Sequence, residues 1–338
     1  MKKMLTFVLS SMFFLTACAF PHFPRAKVTF KVVDCEGKPI ANEPLMLGFS
    51  PTDGHYDETN AEGYFTGEGR TESDYIFTVG HKSKKYYETC FQKQIAHWKD
   101  YPKDGKWKPW NETIEIVVKE RKNPIPMYAV FRRNGCLYVP LQNQWCGYDF
   151  EEHDWLPPHG NGKVSDVEIC FTSEYYKDNW RRDFLKLRFP YPKAGAYVMK
   201  KDNSSALKSV YHADKNQAYQ QEFSFYGPIQ RNINYLIIEY QDRQKTIIPK
   251  DEYIIFRTRT KVDKEGNLIE ARYGKIYGPI DFFAKETRQY SWEKDTCELQ
   301  YYLNPNMNDT NIECSGESLL RPEKNGIGKW GDTSGLAP

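Results

Sequence analysis

The residues best suited to chemistry crowd into one stretch, "GYDFEEHDWLPPHGNGK" at 147–163, which holds Asp149, Glu151, Glu152, His153, Asp154 and His159. Carboxylates and imidazoles in such proximity could ligate a metal, or divide the general acid and general base roles of a hydrolase. Pro157, Pro158, Gly160 and Gly162 make the stretch a loop. His153 and His159 lack the i, i+4 spacing that places two imidazoles on one helix face, and no third partner is identifiable. A solvated loop with Trp155 packed inward is therefore the favoured reading. A hydrolase using the 149–163 loop, with Asp154, Trp155 and His159 among its candidate residues, is its rival.

A second candidate is aromatic. Trp98, Trp107 and Trp110 stand in "WKDYPKDGKWKPW" (98–110), which reads as an exposed loop. Indole rings there could form a platform for stacking a sugar, or cap the edge of a core. Arg257, Arg259 and Lys261 alternate along a strand and so place three cations on one face, where a glycan or lipid headgroup could meet them. Other catalytic signatures are missing. There is no G-x-S-x-G nucleophile elbow and no Ser-x-x-Lys at a plausible helix start. Gly67-Glu68-Gly69 and Gly326-Ile327-Gly328 are isolated glycine pairs without a strand-to-helix context for phosphate. No cofactor fingerprint is present, so no cofactor and no metal are expected.

Composition narrows the classes further. The 338 residues carry a net charge of +2 with 27% charged side chains, which leaves no nucleic-acid footprint. Aromatic residues reach 15%, including 24 tyrosines, a bias that suits rings packed across β-strands.

The first residues give the address. Met1-Lys2-Lys3 precedes the apolar run "MLTFVLSSMFFLTA", too short to span a bilayer as a stable helix, which needs about 20 residues. A basic start, a brief apolar core and small residues at the end describe a secretory signal peptide over residues 1–17. Leu15-Thr16-Ala17-Cys18 resembles the lipobox of bacterial lipoproteins. That resemblance implies that Cys18 carries the lipid and anchors the chain to a membrane. Ala19 follows where an aspartate would favour inner-membrane retention, so the resemblance points to the outer membrane.

Removing Cys18 from the eight cysteines leaves seven in an oxidising envelope. Cys297 and Cys314 bracket two strand-like pieces around an Asn-Pro turn and are expected to form a disulfide. Cys136 with Cys146, and Cys35 with Cys90, are weaker pairings. Neither CxxC nor zinc-finger spacing occurs.

The elements that must position these groups are strands. A tether at 18–26 leads into "KVTFKVV", where Val28, Phe30 and Val32 alternate with polar residues. Further strands are expected at Glu43 to Phe49, after the turn at Asn60 to Gly63, in "DYIFTVGH" and in "ETIEIVVKE". The positions Val32, Asp34, Gly37, Pro39, Ile40 and Pro44, then Thr59, Gly63 and Phe65, resemble the carboxypeptidase regulatory-like, or transthyretin-like, β-sandwich. The resemblance covers residues 27–120 and implies an accessory module without catalytic residues.

"RKNPIPM" at 121–127 reads as a linker, because two prolines hold the chain extended. Residues 128–320 then form a larger β-rich domain with strands in "DFLKLRF", "AYQQEFSF", "NYLIIEY", "EYIIFRTRTKV" and "LIEARYGKIY". "SEYYKDNWRRDF" at 173–184 is its one helical possibility. This half resembles only uncharacterised bacterial envelope lipoproteins. Residues 321–338 are Gly-rich and polar, a loose tail.

The sequence thus describes an all-β, lipid-anchored envelope protein. It is expected to be a non-catalytic binding or scaffold module for a glycan or protein partner, with an envelope hydrolase as the alternative.

Overall fold

A computed structural model describes residues 23–49, 54–71, 75–80, 85–87, 90–94, 102, 104–130, 136–199, 211–233, 236–242, 253–283 and 295–320. Cys18, Trp98 and the tail at 321–338 lie outside them. Within them the chain is all-β, its regular structure being strand apart from one 3-10 turn at Lys177–Asn179.

Alternation sets the first elements. They are β1 (Arg25–Val33), β2 (Pro44–Gly48), β3 (Gly54–Glu58), β4 (Tyr64–Arg70), β5 (Tyr75–Gly80), β6 (Cys90–Gln94) and β7 (Glu112–Val117). One sheet runs β4-β1-β7, with β7 parallel to β1, and the other runs β3-β2-β5-β6. Val28, Phe30 and Val32 of the first sheet share a buried core with Leu45 and Leu47 of the second. Gly67 and Gly69 of β4 have a packing role here. A Cβ at either position would strike Leu47 or Phe49, so the glycines let the second sheet approach closely.

The remaining strands are β8 (Ile125–Val130), β9 (Cys136–Tyr138), β10 (Cys146–Asp149), β11 (Asp154–Trp155), β12 (Val167–Tyr175), β13 (Trp180–Arg188), β14 (Gly195–Met199), β15 (Glu222–Tyr226), β16 (Ile229–Ile233), β17 (Leu236–Asp242), β18 (Tyr253–Val262), β19 (Leu268–Phe283), β20 (Thr296–Leu303) and β21 (Cys314–Ser318). They build two further sheets, β11-β10-β12-β13-β16-β17 with β15 on β13, and β14-β18-β19-β20-β8-β21 with β9 on β20. One core joins them, with Tyr148, Ile169, Phe171 and Leu185 from one sheet against Phe256, Ile276, Leu299 and Tyr301 from the other.

Five sequence expectations change. Residues 125–127 are strand rather than linker, because β8 is inserted between β20 and β21. Pro126 has no N–H to offer a ladder, and the β8–β21 register shifts between Cys314 and Ser318.

Residues 173–184 form a strand hairpin, not a helix. Asp178 and Asn179 take left-handed φ values of 58° and 63°. Arg181, Asp183, Leu185 and Leu187 are then buried with the period of a strand.

The Cys297–Cys314 disulfide does not form. β8 separates the two strands, and Cys297 shares the sheet face of Leu299 and Tyr301 while Cys314 packs with Tyr302 on the opposite face. Cys146 is likewise a free thiol, so it is not bridged to Cys136. The Cys35 thiol faces the Val118 carbonyl at 3.9 Å, while the side chain of Cys90 lies outside the described residues.

The three cations of 257–261 do not share a face. The β18–β19 register slips between Thr258 and Lys261, and Arg259 sits there at φ 50°. This bulge turns Arg259 inward, against the alternation. Arg257 lies over the Tyr219 ring and Lys261 pairs with Glu270 at the surface.

Candidate functional site

The inward turn of Arg259 organises the residues that looked most catalytic. Its Nε and Nη2 donate to Asp166 Oδ1 and Oδ2 at 2.8 and 2.7 Å, a bidentate pair. Nη2 also donates to Asp149 Oδ1 at 3.0 Å, and Nη1 to Glu151 Oε2 at 2.5 Å. Arg272 Nη1 pairs with the other oxygen of Glu151.

Asp149 is fully committed. Its Oδ1 accepts the backbone N–H of Glu151 and Glu152, and its Oδ2 those of Lys163 and Val164 at 2.8 and 3.0 Å. Asp166 Oδ2 accepts the Phe150 N–H at 2.9 Å. Burial pushes the Asp166 carboxyl above its usual range, against the opposing pull of Arg259. Burial also pulls Arg259 down, but its hydrogen bonds to Asp166 and the nearby carboxylates leave it above its ordinary value. The cluster is a charged latch that closes the 147–166 segment onto β18.

The imidazole of His153 is fixed from two sides, Nδ1 lying 2.6 Å from Tyr148 Oη and 3.1 Å from Tyr301 Oη. Tyr301 Oη donates to the Phe150 carbonyl at 2.9 Å. Burial holds both phenols far above their ordinary pKa, so neither serves as a base at neutral pH.

Asp154 folds the loop on itself. Its Oδ1 accepts the Trp155 N–H at 2.9 Å and its Oδ2 the Asn161 N–H at 3.0 Å. A Cβ at Gly160 would run into Asp154 Oδ1 and the Trp155 carbonyl. Trp155 is buried against Tyr148 at a ring separation of 5.1 Å, and His159 is exposed. Thus both Asp154 oxygens are engaged by the loop's own backbone, and Trp155 is core. Among the described residues, no group of three or more His, Cys, Asp or Glu side chains is arranged to hold a metal ion.

The tryptophan platform fails for a different reason. Trp107 is 1% exposed, packs in the first core and donates its indole N–H to the Thr71 carbonyl at 3.2 Å. It cannot stack a sugar. Trp110 is half-buried with the Lys106 ammonium 5.0 Å above its ring. Three buried thiols are equally unsuited to attack. Burial raises Cys146 and Cys170, and pushes Cys314 up to about 11.

Sequence reasoning missed a buried lysine. Lys275 of β19 is fully enclosed, its ammonium 4.2 Å from the Tyr253 ring centre, 5.0 Å from Tyr277 and 5.6 Å from Tyr302. Burial holds its amine well below the ordinary value of 10.5. The signal was present in "YGKIY", which puts Tyr273, Lys275 and Tyr277 on one face of a strand. Glu313 was also missed. Its carboxylate accepts the N–H groups of Lys122 and Asn123 at 2.9 and 2.6 Å and the Tyr87 hydroxyl at 2.9 Å. It clasps the segment between β7 and β8.

No family model and no curated protein matches this chain. Solved structures with some likeness include a DUF3823 family protein from Bacteroides ovatus, at 9% identity and TM-score 0.21 over 83% of this chain and 98% of that one. A streptococcal ancillary pilin aligns at 12% identity and TM-score 0.19, covering 66% of this chain and 58% of the pilin. Invasin, a bacterial integrin-binding protein, aligns at 9% identity and TM-score 0.16, covering 83% of this chain and 54% of invasin.

Proposed function

We propose that this chain is a lipid-anchored protein of the bacterial envelope, held at the outer membrane through Cys18, that binds a glycan or protein partner without catalysing a reaction. Residues 27–120 act as its transthyretin-like accessory module, and the larger β-rich half presents the binding surface. One observation carries the non-catalytic reading. Three of the four carboxylates that made 147–163 resemble an active site are consumed by the fold, Asp149 and Glu151 by arginines and Asp154 by its own loop's backbone, and the fourth, Glu152, pairs with Lys163. A general acid or base must reach a substrate proton, and these oxygens already face internal donors.

Two measurements test the proposal. Cys18→Ser should move the protein from the membrane to the soluble fraction; membrane retention without acyl mass would contradict the anchor. The full mature chain should show no turnover on a hydrolase panel. Turnover abolished by Asp154→Asn or His159→Ala would replace this reading with the enzyme.

A further inference from the structure

The hairpin mistaken for a helix carries an open cleft. Its volume is about 740 Å³, and Tyr175, Tyr176, Lys177, Asp178, Trp180 and Gln241 line it. That size lies within the range of small-ligand sites, about 300–1,000 Å³. Tyr175 is 65% exposed and Tyr176 44% exposed. Single exposed rings need no explanation, but two tyrosines and a tryptophan around one concavity leave a shared apolar surface in water.

The cleft is held in shape. The Tyr176 N–H donates to the Trp180 carbonyl at 2.7 Å and closes the tip, while the consecutive left-handed residues Asp178 and Asn179 set its turn. Such a conformation costs energy in residues with side chains, and Asp and Asn tolerate it best. Below the tip, Asp183 accepts hydrogen bonds from Ser173 at 2.7 Å and Gln230 at 3.4 Å and pairs with Arg181 at 3.1 Å. These contacts tie β12, β13 and β16 together. The Tyr176 hydroxyl donates to Glu174 Oε2 at 3.0 Å, which restrains that ring.

We propose that this cleft binds a neutral oligosaccharide. The proposal rests on the binding-module reading above and gives it a site and a ligand class. A pyranose has an apolar C–H face and a rim of hydroxyls. Tyr and Trp rings offer a flat apolar surface with a polar tip. The Gln241 amide, Lys177 ammonium and Asp178 carboxylate supply the donors and acceptors that hydroxyls need. Lys177 and Asp178 cancel, so the lining side chains carry no net charge, which disfavours an anionic headgroup or an acidic glycan. A preset turn and rings on a strand ladder lose little freedom on binding.

The test uses the full mature chain and an array of neutral and acidic oligosaccharides, with hits measured by calorimetry. Four proteins are compared, namely wild type, Tyr175→Ala, Trp180→Ala and Trp110→Ala as the control. The expected result is binding to neutral oligosaccharides that weakens at least tenfold in Tyr175→Ala and Trp180→Ala and is unchanged in Trp110→Ala. Tyr175 is exposed enough that its variant stays folded, as thermal melting will verify. Neutral-glycan binding unaffected by both tip variants would overturn the assignment of the cleft while leaving the binding-module reading intact. No neutral hit at all would overturn the proposal. A proline-rich peptide bound at the tip and lost in Tyr175→Ala would do the same and keep a binding module with a different ligand. Hydrolysis of any array sugar would overturn the binding-module reading itself.

Discussion

The loop at 147–163 and the hairpin tip at 175–180 invert one another. The loop is rich in catalytic residue types, yet Asp149 and Glu151 turn inward to Arg259 and Arg272, Asp154 to backbone N–H groups, and Glu152 pairs with Lys163 of the same loop. The tip looked like a short helix, yet it holds three aromatic side chains around an open cleft. A cluster of functional groups is thus no site when the fold has already used their bonding capacity. Exposure of groups that burial would favour is the better guide.

The comparison breaks most sharply at Arg259. Its replacement by Ala leaves Asp149 and Asp166 buried without their cation, a loss of about 3–5 kcal/mol. Chemical denaturation measures it, and a loss below about 1 kcal/mol would show that the latch is ornamental. The equivalent truncation at the tip, Tyr175→Ala, should change stability by less than about 0.5 kcal/mol, as exposed positions do.

Lys275 sharpens the same contrast, since its ammonium is buried among three aromatic rings and donates to the Tyr277 hydroxyl at 3.4 Å. Lys275→Met should leave stability unchanged or raise it, because an apolar side chain of similar volume removes the cost of burying the amine while giving up only its ring contacts and its hydrogen bond to the Tyr277 hydroxyl. Titration gives an independent check. Burial lowers Lys119 to about 8 and holds Lys275 below its ordinary 10.5. An amine whose folded pKa is lowered binds fewer protons folded than unfolded, so stability climbs as pH rises toward 10.5. For Lys119 the climb runs from about 8 to 10.5, and below that window its slope vanishes. The raised Cys146, Cys170 and Cys314 thiols act with the opposite sign above about pH 9, so the lysine contribution is read as the difference between wild type and Lys119→Met; a wild-type advantage that falls between pH 8 and 9.5 would contradict this sign.

Gly160→Ala tests the loop's own packing. The added methyl meets Asp154 and the Trp155 carbonyl, at a cost of about 1–3 kcal/mol. His159→Ala, on an exposed side chain, should change stability by less than about 0.5 kcal/mol. Thermal melts of the two variants should therefore separate clearly, and equal losses would mean that the loop is not organised around Asp154.

Much of the fold was legible because strand alternation is a local signal. Val28, Phe30 and Val32, the Asp263 to Asn267 hairpin and the strand through "NYLIIEY" all appear where the sequence indicates. The site was far less legible, because its contacts are distant in sequence. Nothing near Asp149 announces Arg259, and the inward turn of Arg259 depends on a bulge that reverses the alternation. The Cys297–Cys314 pairing failed similarly, since β8, which precedes both cysteines in the chain, lies between their strands. Trp107 was misplaced because an indole in a polar, Pro-rich loop carries no local mark of the core it fills.

The central claim is that Asp149, Glu151 and Asp166 serve the fold through Arg259. A double-mutant cycle of Arg259→Ala and Asp166→Ala, read by chemical denaturation, tests it most directly. Contacting residues in one network couple by about 0.5–3 kcal/mol, and the bidentate geometry at 2.7 and 2.8 Å predicts the upper part of that range. Losses that add to within about 0.3–0.5 kcal/mol would contradict the latch and with it the reading that Arg259 holds Asp149 and Glu151 away from chemistry.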